Sequence, residues 1–182
     1  MSGFPIAEQS RARNFEDAER FAKKIGFPLV LKPVSAEQGS GVYANITNEV
    51  ELKECFDQLS ESHSDLILER FVKGFSYRVQ IHDGKVIAAW RMNPPFVIGK
   101  GKLTIGELID IENAKPERNA INGSMKPIPL DDVTSKNLRK LGLTLKSVPS
   151  IGEKVTLAET SNESRGGTSE DFLQFLHPQN AE

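Results

Sequence analysis

Three groups of residues in this sequence have the types and spacing to handle a phosphorylated ligand. Gln38-Gly39-Ser40-Gly41 lies between two strand-like runs, and its glycines let backbone N–H groups turn into one concavity and approach an anion closely. The same loop would also serve as an ordinary strand connector. It is neither a Walker A sequence, which needs an earlier glycine at a set distance from Gly-Lys, nor a dinucleotide fingerprint, whose glycines open a helix. Lys32 stands in the otherwise apolar run Leu29-Val30-Leu31-Lys32-Pro33. There it either snorkels to solvent or offers a cation to something bound beside the loop. The third group, Leu66-Ile67-Leu68-Glu69-Arg70-Phe71-Val72-Lys73-Gly74, is an apolar run ending in a carboxylate. It fits a plain exit from a sheet or a slot for adenine. In the slot, Glu69 accepts from the exocyclic amine and the backbone around Phe71 and Val72 bonds the ring edge.

Short elements must position these groups. Asn14 reads as an N-cap, followed by Phe15, Ala18, Phe21, Ala22 and Ile25 at helical spacing and by Gly26 and Pro28 as stops. Val42 to Ile46 reads as a strand. Asn48-Glu49-Val50-Glu51 resembles a capping box, and Leu52, Cys55, Phe56 and Leu59 form the buried stripe of a second helix. Ser76 to His82, Asp83-Gly84 and Lys85 to Asn93 predict a hairpin with a type I′ turn. A regular ladder from that turn pairs His82 with Lys85, Val79 with Ala88, and Ser76 with Arg91. One face then carries Tyr77, Val79, Ile81, Val86, Ala88 and Trp90 as core, and the other carries Arg78 and Arg91 together. Beyond it, Thr104-Ile105-Gly106-Glu107 predicts a capped helix, Asn113 to Met125 a mobile polar connector, Asp131 to Leu141 a helix stopped by Gly142, and Lys154 to Ala158 a strand. Short strands mixed with helices, several of them adjacent in sequence, indicate an α+β fold.

Composition bounds the function. The 182 residues carry a net charge of −2 and are 38% hydrophobic, a balance that argues against bulk attraction to nucleic acid or anionic lipid. No run is long and apolar enough to span a membrane, and the N-terminus has no signal-peptide core. The single cysteine, Cys55, excludes an internal disulfide and a cysteine-based zinc cluster. The expectation is a cytoplasmic, reduced chain. His63, His82 and His177 are not spaced as metal ligands.

Taken together the three groups resemble the ATP-grasp ligases in order and approximate spacing. The likeness is greatest to the ATP-grasp region of the cyanophycin synthetases. It extends through Arg78, Ala88-Ala89-Trp90-Arg91, Gly99-Lys100-Gly101-Lys102-Leu103-Thr104-Ile105, Leu141 to Pro149, Asn162-Glu163-Ser164-Arg165-Gly166-Gly167-Thr168 and His177-Pro178, so it runs from about Phe4 to Pro178. The resemblance implies an ATP-grasp-like fold: a small lid subdomain over residues 1–70 and an incomplete second subdomain over 71–182, with ATP between them. It implies that Lys32 contacts the phosphates and that Gln38, Gly39, Ser40 and Gly41 close over them. Glu69, Arg70, Phe71 and Val72 would hold adenine and Ser76 would face the ribose. Arg78 and Arg91 would reach the phosphoryl or acyl group, with Asn162, Arg165, Gly166 and Gly167 at the substrate end. The implied chemistry is ligation through an acyl-phosphate, catalysed by positioning and by cations on the developing charge.

The sequence departs from the family pattern in several places. The family's magnesium ligands, an aspartate and a Glu-x-Asn triplet, normally lie beyond the His-Pro, whereas here the only Glu-x-Asn is Glu117-Arg118-Asn119 in the polar connector, a chance match. Ser76 stands where an acidic group usually meets the ribose, and Ala158-Glu159 replaces a basic pair. The expectation is therefore a piece of a larger ligase. It would hold none of the Mg2+ ligands of the complete enzyme, bind Mg·ATP weakly and turn over negligibly alone. Its partners would be ATP and a carboxylate/amine pair of amino-acid or peptide type, with oligomerisation open and no nucleic acid or membrane involved. Whether this chain is itself an enzyme stays open. A non-catalytic nucleotide-binding or regulatory module and a ligase of glutathione-synthetase or dipeptide-ligase type are the alternatives.

Overall fold

The computed structural model describes residues 5–35, 41–118, 125–177 and 179. Gln38, Gly39, Ser40, Asn119, Phe4 and Pro178 lie outside them. The chain divides into two compact units, Met1–Lys73 and Gly74–Glu182.

The first unit is a four-stranded antiparallel sheet with two helices on one face. Its strands are β1 (Gln9–Ala12), β2 (Leu29–Pro33), β3 (Tyr43–Ile46) and β4 (Leu66–Arg70), in the order β1-β4-β2-β3. The helices are α1 (Phe15–Ile25) and α2 (Glu49–Ser60). Alternation decides which way each strand faces: Leu29, Leu31, Leu66 and Leu68 are fully buried, while Val30, Lys32, Ile67 and Glu69 between them are only half-buried. Ala18, Phe21 and Ala22 of α1 and Leu52, Cys55, Phe56 and Leu59 of α2 complete this core, and Phe15 meets Phe56 edge-on with ring centroids 5.7 Å apart. Both helices start as the sequence predicts. Asn14 Oδ1 accepts from Asp17 N and Asn48 Oδ1 from Glu51 N, each at 2.9 Å.

The second unit holds three strands in the order β5-β6-β9: β5 (Ser76–His82), β6 (Lys85–Asn93) and β9 (Thr168–Asp171). A two-stranded ladder joins β7 (Phe96–Ile98) to β8 (Lys154–Thr156). The helices α3 (Ile105–Asn113) and α4 (Asp132–Lys140) pack with that ladder around Val97, Ile105, Leu108, Ile109, Ile128, Leu138, Val155 and Leu157. Thr104 and Glu107 close the expected capping box on α3, and Asp131 caps α4.

The hairpin corrects the sequence reading. Asp83 and Gly84 take positive φ, 46° and 73°, as the type I′ turn requires. His82↔Lys85 and Ile81↔Val86 pair as expected. A bulge then shifts the register, and the remaining pairs are Gln80↔Ala88, Val79↔Ala89, Arg78↔Trp90, Tyr77↔Arg91 and Ser76↔Met92. Ile87 is the extra residue on β6. Because side chains alternate, one extra residue exchanges the faces of everything beyond it. Arg78 therefore shares its face with Trp90, and Arg91 shares the opposite one with Tyr77. The two arginines do not lie on one face. The expected core face is not a core either: all of β5 is exposed, and in β6 only Ala89 and Met92 are buried.

The described part of the polar connector, residues 113–118 and Met125, is held by hydrogen bonds. Asn113 donates to and accepts from the Ile128 backbone at 2.9 and 2.7 Å. Arg118, at 3% exposure, donates to Lys126 O and Gly166 O at 2.8 and 3.0 Å.

Candidate functional site

In the first unit the helix-free face of the sheet is where chemistry can occur. Glu69 pairs across the strands with Val30, and Lys32 with Ile67, so Lys32 and Glu69 are diagonal neighbours on that face. Their side chains meet: Lys32 Nζ lies 2.7 Å from Glu69 Oε1, with 33% and 21% of the two side chains exposed. The apolar residues between them are committed to the core on the other side. The polar pair is thus held at the surface of a rigid sheet, where a ligand can compete for it. Arg70, one residue on, is directed elsewhere and donates from Nε to Glu8 Oε2 at 2.6 Å.

The strand exit after β4 sorts the remaining donors. Phe71 N–H is taken by Pro28 O at 3.1 Å. Val72 is 69% exposed, and its amide has no partner among the described residues. Of the two backbone positions expected to meet a ring edge, Val72 is the one with a donor to offer. Gly41 enters β3 at a φ of 70°, a left-handed conformation, and a Cβ there would stand 3.0 Å from Leu59 Cδ2. The other loop residues, Gln38, Gly39 and Ser40, lie outside the described ones.

The second unit carries the remaining predicted residues. Ser76 opens β5 and is exposed. Arg78 NH1 lies 3.6 Å from Glu163 Oε2, whose other oxygen accepts from Ser169 Oγ at 2.7 Å. Arg91 lies over the Phe75 ring at 3.9 Å, and its Nε is 3.6 Å from Glu170 Oε1, beyond hydrogen-bond reach.

The Asn162–Gly167 segment is a tightly built loop. Asn162 Oδ1 accepts from Ser164 N and Oγ, while its carbonyl accepts from Arg165 N and Gly167 N. Arg165, 6% exposed, donates from NH2 to Asp131 Oδ1 at 2.8 Å. Burial raises the Asp131 pKa, but the Arg165 guanidinium and the Thr134 amide outweigh it and hold the carboxyl below its usual range. Gly166 has a φ of 80°, and an added Cβ would lie 2.6 Å from Ile128 Cγ1, so no other residue fits there without displacement. Sequence reasoning missed the buried Arg118, which ties Gly166 O to Lys126 O. A lone arginine in a polar, turn-rich stretch gives no periodic signal of burial.

Among the described residues no three His, Cys, Asp or Glu side chains come together to hold a metal ion. No helix among them is long and apolar enough to cross a membrane.

Residues 2–87 match the family model described as the ATP binding domain of the carbamoyl-phosphate synthase L chain. The cyanophycin synthetase of Crocosphaera subtropica is 35% identical over 183 residues, covering 98% of this chain and 21% of that protein. The glutathione biosynthesis bifunctional protein GshAB of Clostridium perfringens is 34% identical over 155 residues, covering 82% of this chain and 20% of that protein. The chain thus spans about a fifth of the length of these curated relatives. In fold it is similar to a bifunctional glutathione synthetase from Pasteurella multocida, with a TM-score of 0.53 at 23% identity over 98% of this chain and 25% of that one. In fold the chain is similar to the ATP-grasp ligases that its sequence resembles, and over nearly its whole length it is similar to part of the cyanophycin synthetases.

Proposed function

We propose that this chain is the ATP-binding portion of an ATP-dependent carboxylate–amine ligase of the cyanophycin-synthetase kind, acting in the cytoplasm on an amino-acid or peptide-like substrate pair. The observation that carries the reading is the Lys32–Glu69 pair at 2.7 Å on the open face of the first unit's sheet. A nucleotide needs a cation for its phosphates and an acceptor for its exocyclic amine, and here both stand on neighbouring strands. ATP, when bound, supplies the phosphoryl group that activates a carboxylate as an acyl-phosphate for attack by an amine.

This chain's residues then divide the work. Lys32 leaves Glu69 for the phosphates, Glu69 turns to the adenine amine, and the Val72 amide meets the ring edge. Arg70 is held by Glu8 and frames the slot through its backbone. Gln38 to Gly41 close over the phosphates, and Ser76 meets the ribose. Arg78 and Arg91 remain the proposed cations for the phosphoryl or acyl group, but from opposite faces of their sheet they do not serve it side by side. Asn162, Arg165, Gly166 and Gly167 shape the substrate end by backbone form, since the charge of Arg165 is already matched by Asp131. Magnesium has no ligand set among the described residues, and no step is assigned to it.

Calorimetric titration of ATP and ADP, with and without Mg2+, into the wild-type chain and Lys32→Ala tests the reading. Loss of a charge-assisted contact of about 1.5–3 kcal/mol corresponds to a Kd raised about ten- to a hundredfold. Equal binding by Lys32→Ala would remove Lys32 from the site. A ligase of glutathione type is the second reading, supported by the similarity to GshAB. A panel of amines and carboxylates tested with a full-length ligase containing this region separates the two.

A further inference from the structure

At the margin of the first unit's sheet, β1 is an edge strand, and a groove of about 510 Å³ runs along it. One wall is β1 from Gln9 to Arg11, with Arg13 just beyond. The other is the α1 stripe Asp17, Arg20, Phe21 and Lys24, which helical spacing places on one side. Four cations and one carboxylate line it. Arg20 is matched by Asp17 at 3.3 Å, and Arg11 lies 3.7 Å from Asp65. Arg13 and Lys24 have no side-chain partner among the described residues, and both are exposed.

The backbone of β1 supplies the second half of the site. Arg70 N donates to Glu8 O at 2.8 Å, continuing the register Gln9↔Glu69 and Ser10↔Leu68. In an antiparallel pair, bonded and non-bonded positions alternate, so Glu8, Ser10 and Ala12 turn their amide groups toward β4. Gln9 and Arg11 then turn theirs outward, into the groove. Ser10 Oγ reaches Arg11 O at 3.3 Å, which leaves the Gln9 N–H, the Gln9 carbonyl and the Arg11 N–H as an unpaired edge among the described residues. Such an edge is a template for one more strand. A free phosphate would satisfy the cations and leave the edge unpaired. An extended peptide satisfies both.

We infer that this groove binds an extended peptide segment rich in Asp or Glu, added as a strand against β1 with its carboxylates on Arg13 and Lys24. This inference is independent of nucleotide binding, and its test omits nucleotide. The probe is an acetylated, amidated octapeptide of alternating Asp and Val, titrated into the isotopically labelled full chain and followed by amide chemical shifts. Shifts should concentrate in Gln9 to Arg13 and along the Asp17–Lys24 stripe, and binding should weaken with added salt. The double variant Arg13→Glu/Lys24→Glu, at exposed positions with no side-chain partner among the described residues, should bind about tenfold more weakly or worse, and the neutral pair Arg13→Gln/Lys24→Gln should fall between. The same peptide with alternate amides N-methylated keeps its charge but cannot pair with the edge, and should also lose about tenfold. Absence of shifts in β1, unchanged binding by the double variant, or equal binding of the N-methylated peptide or of inorganic tripolyphosphate would each overturn the added strand.

Discussion

A side chain's partner decides what it can still do. Lys32 already has a carboxylate at 2.7 Å, so a ligand at this face exchanges one ionic contact for another rather than neutralising a bare charge. Arg165 has gone further: buried and joined to Asp131, it serves the architecture of its loop. That pairing has a pH signature. The folded-state pKa of Asp131 is depressed, so its contribution is fully present above the unfolded value of about 3.9 and is lost as pH falls through the lower folded value. Asp131→Asn keeps an oxygen for the Thr134 amide but removes the charge. The stability gap between wild type and Asp131→Asn should therefore be open near neutral pH and close as pH falls from about 5 toward about 2. Urea unfolding across that range measures it, and a gap of constant size would assign the effect to shape alone.

Caps and turns, the most local elements, were the most legible. Thr104 and Glu107 close both halves of their box, with Thr104 Oγ1 accepting from Glu107 N at 3.2 Å and Glu107 Oε2 accepting from Thr104 N at 2.8 Å. Thr104→Ala should cost about 1 kcal/mol, read from the urea midpoint at an unchanged slope. The helix stripes at Leu52, Cys55, Phe56 and Leu59 were equally readable, because burial on one side of a helix repeats in sequence. Strand β1 was not, since Gln9-Ser10-Arg11-Ala12 lies at an edge and buries only Ala12. Nor were the bulge at Ile87 and the pairing of β9 with β6, which depend on neighbours remote in sequence. The Lys32–Glu69 meeting was half legible: the residue types were plain, but their diagonal placement needed the β2–β4 register.

On the scale of the whole molecule, each unit carries its own core, and a core lesion should be felt where it is made. Leu31, with no exposed surface, sits in the middle of the first unit's sheet. Leu31→Ala should destabilise that unit by about 2–5 kcal/mol and lower amide-exchange protection in β1 to β4. Protection of α3 and α4 in the second unit should persist; a uniform loss would mean that the chain unfolds as one block. Similarity to the cyanophycin synthetases takes in both units, covering 98% of the chain, whereas the family model stops at residue 87. Ile87, the supernumerary residue of the hairpin, acts as a parity element: the same strand run as a regular ladder from the turn, with no bulge, would aim every later side chain at the other half-space. Transferring a role to Arg91 by alignment alone therefore requires knowing that the bulge at Ile87 is shared.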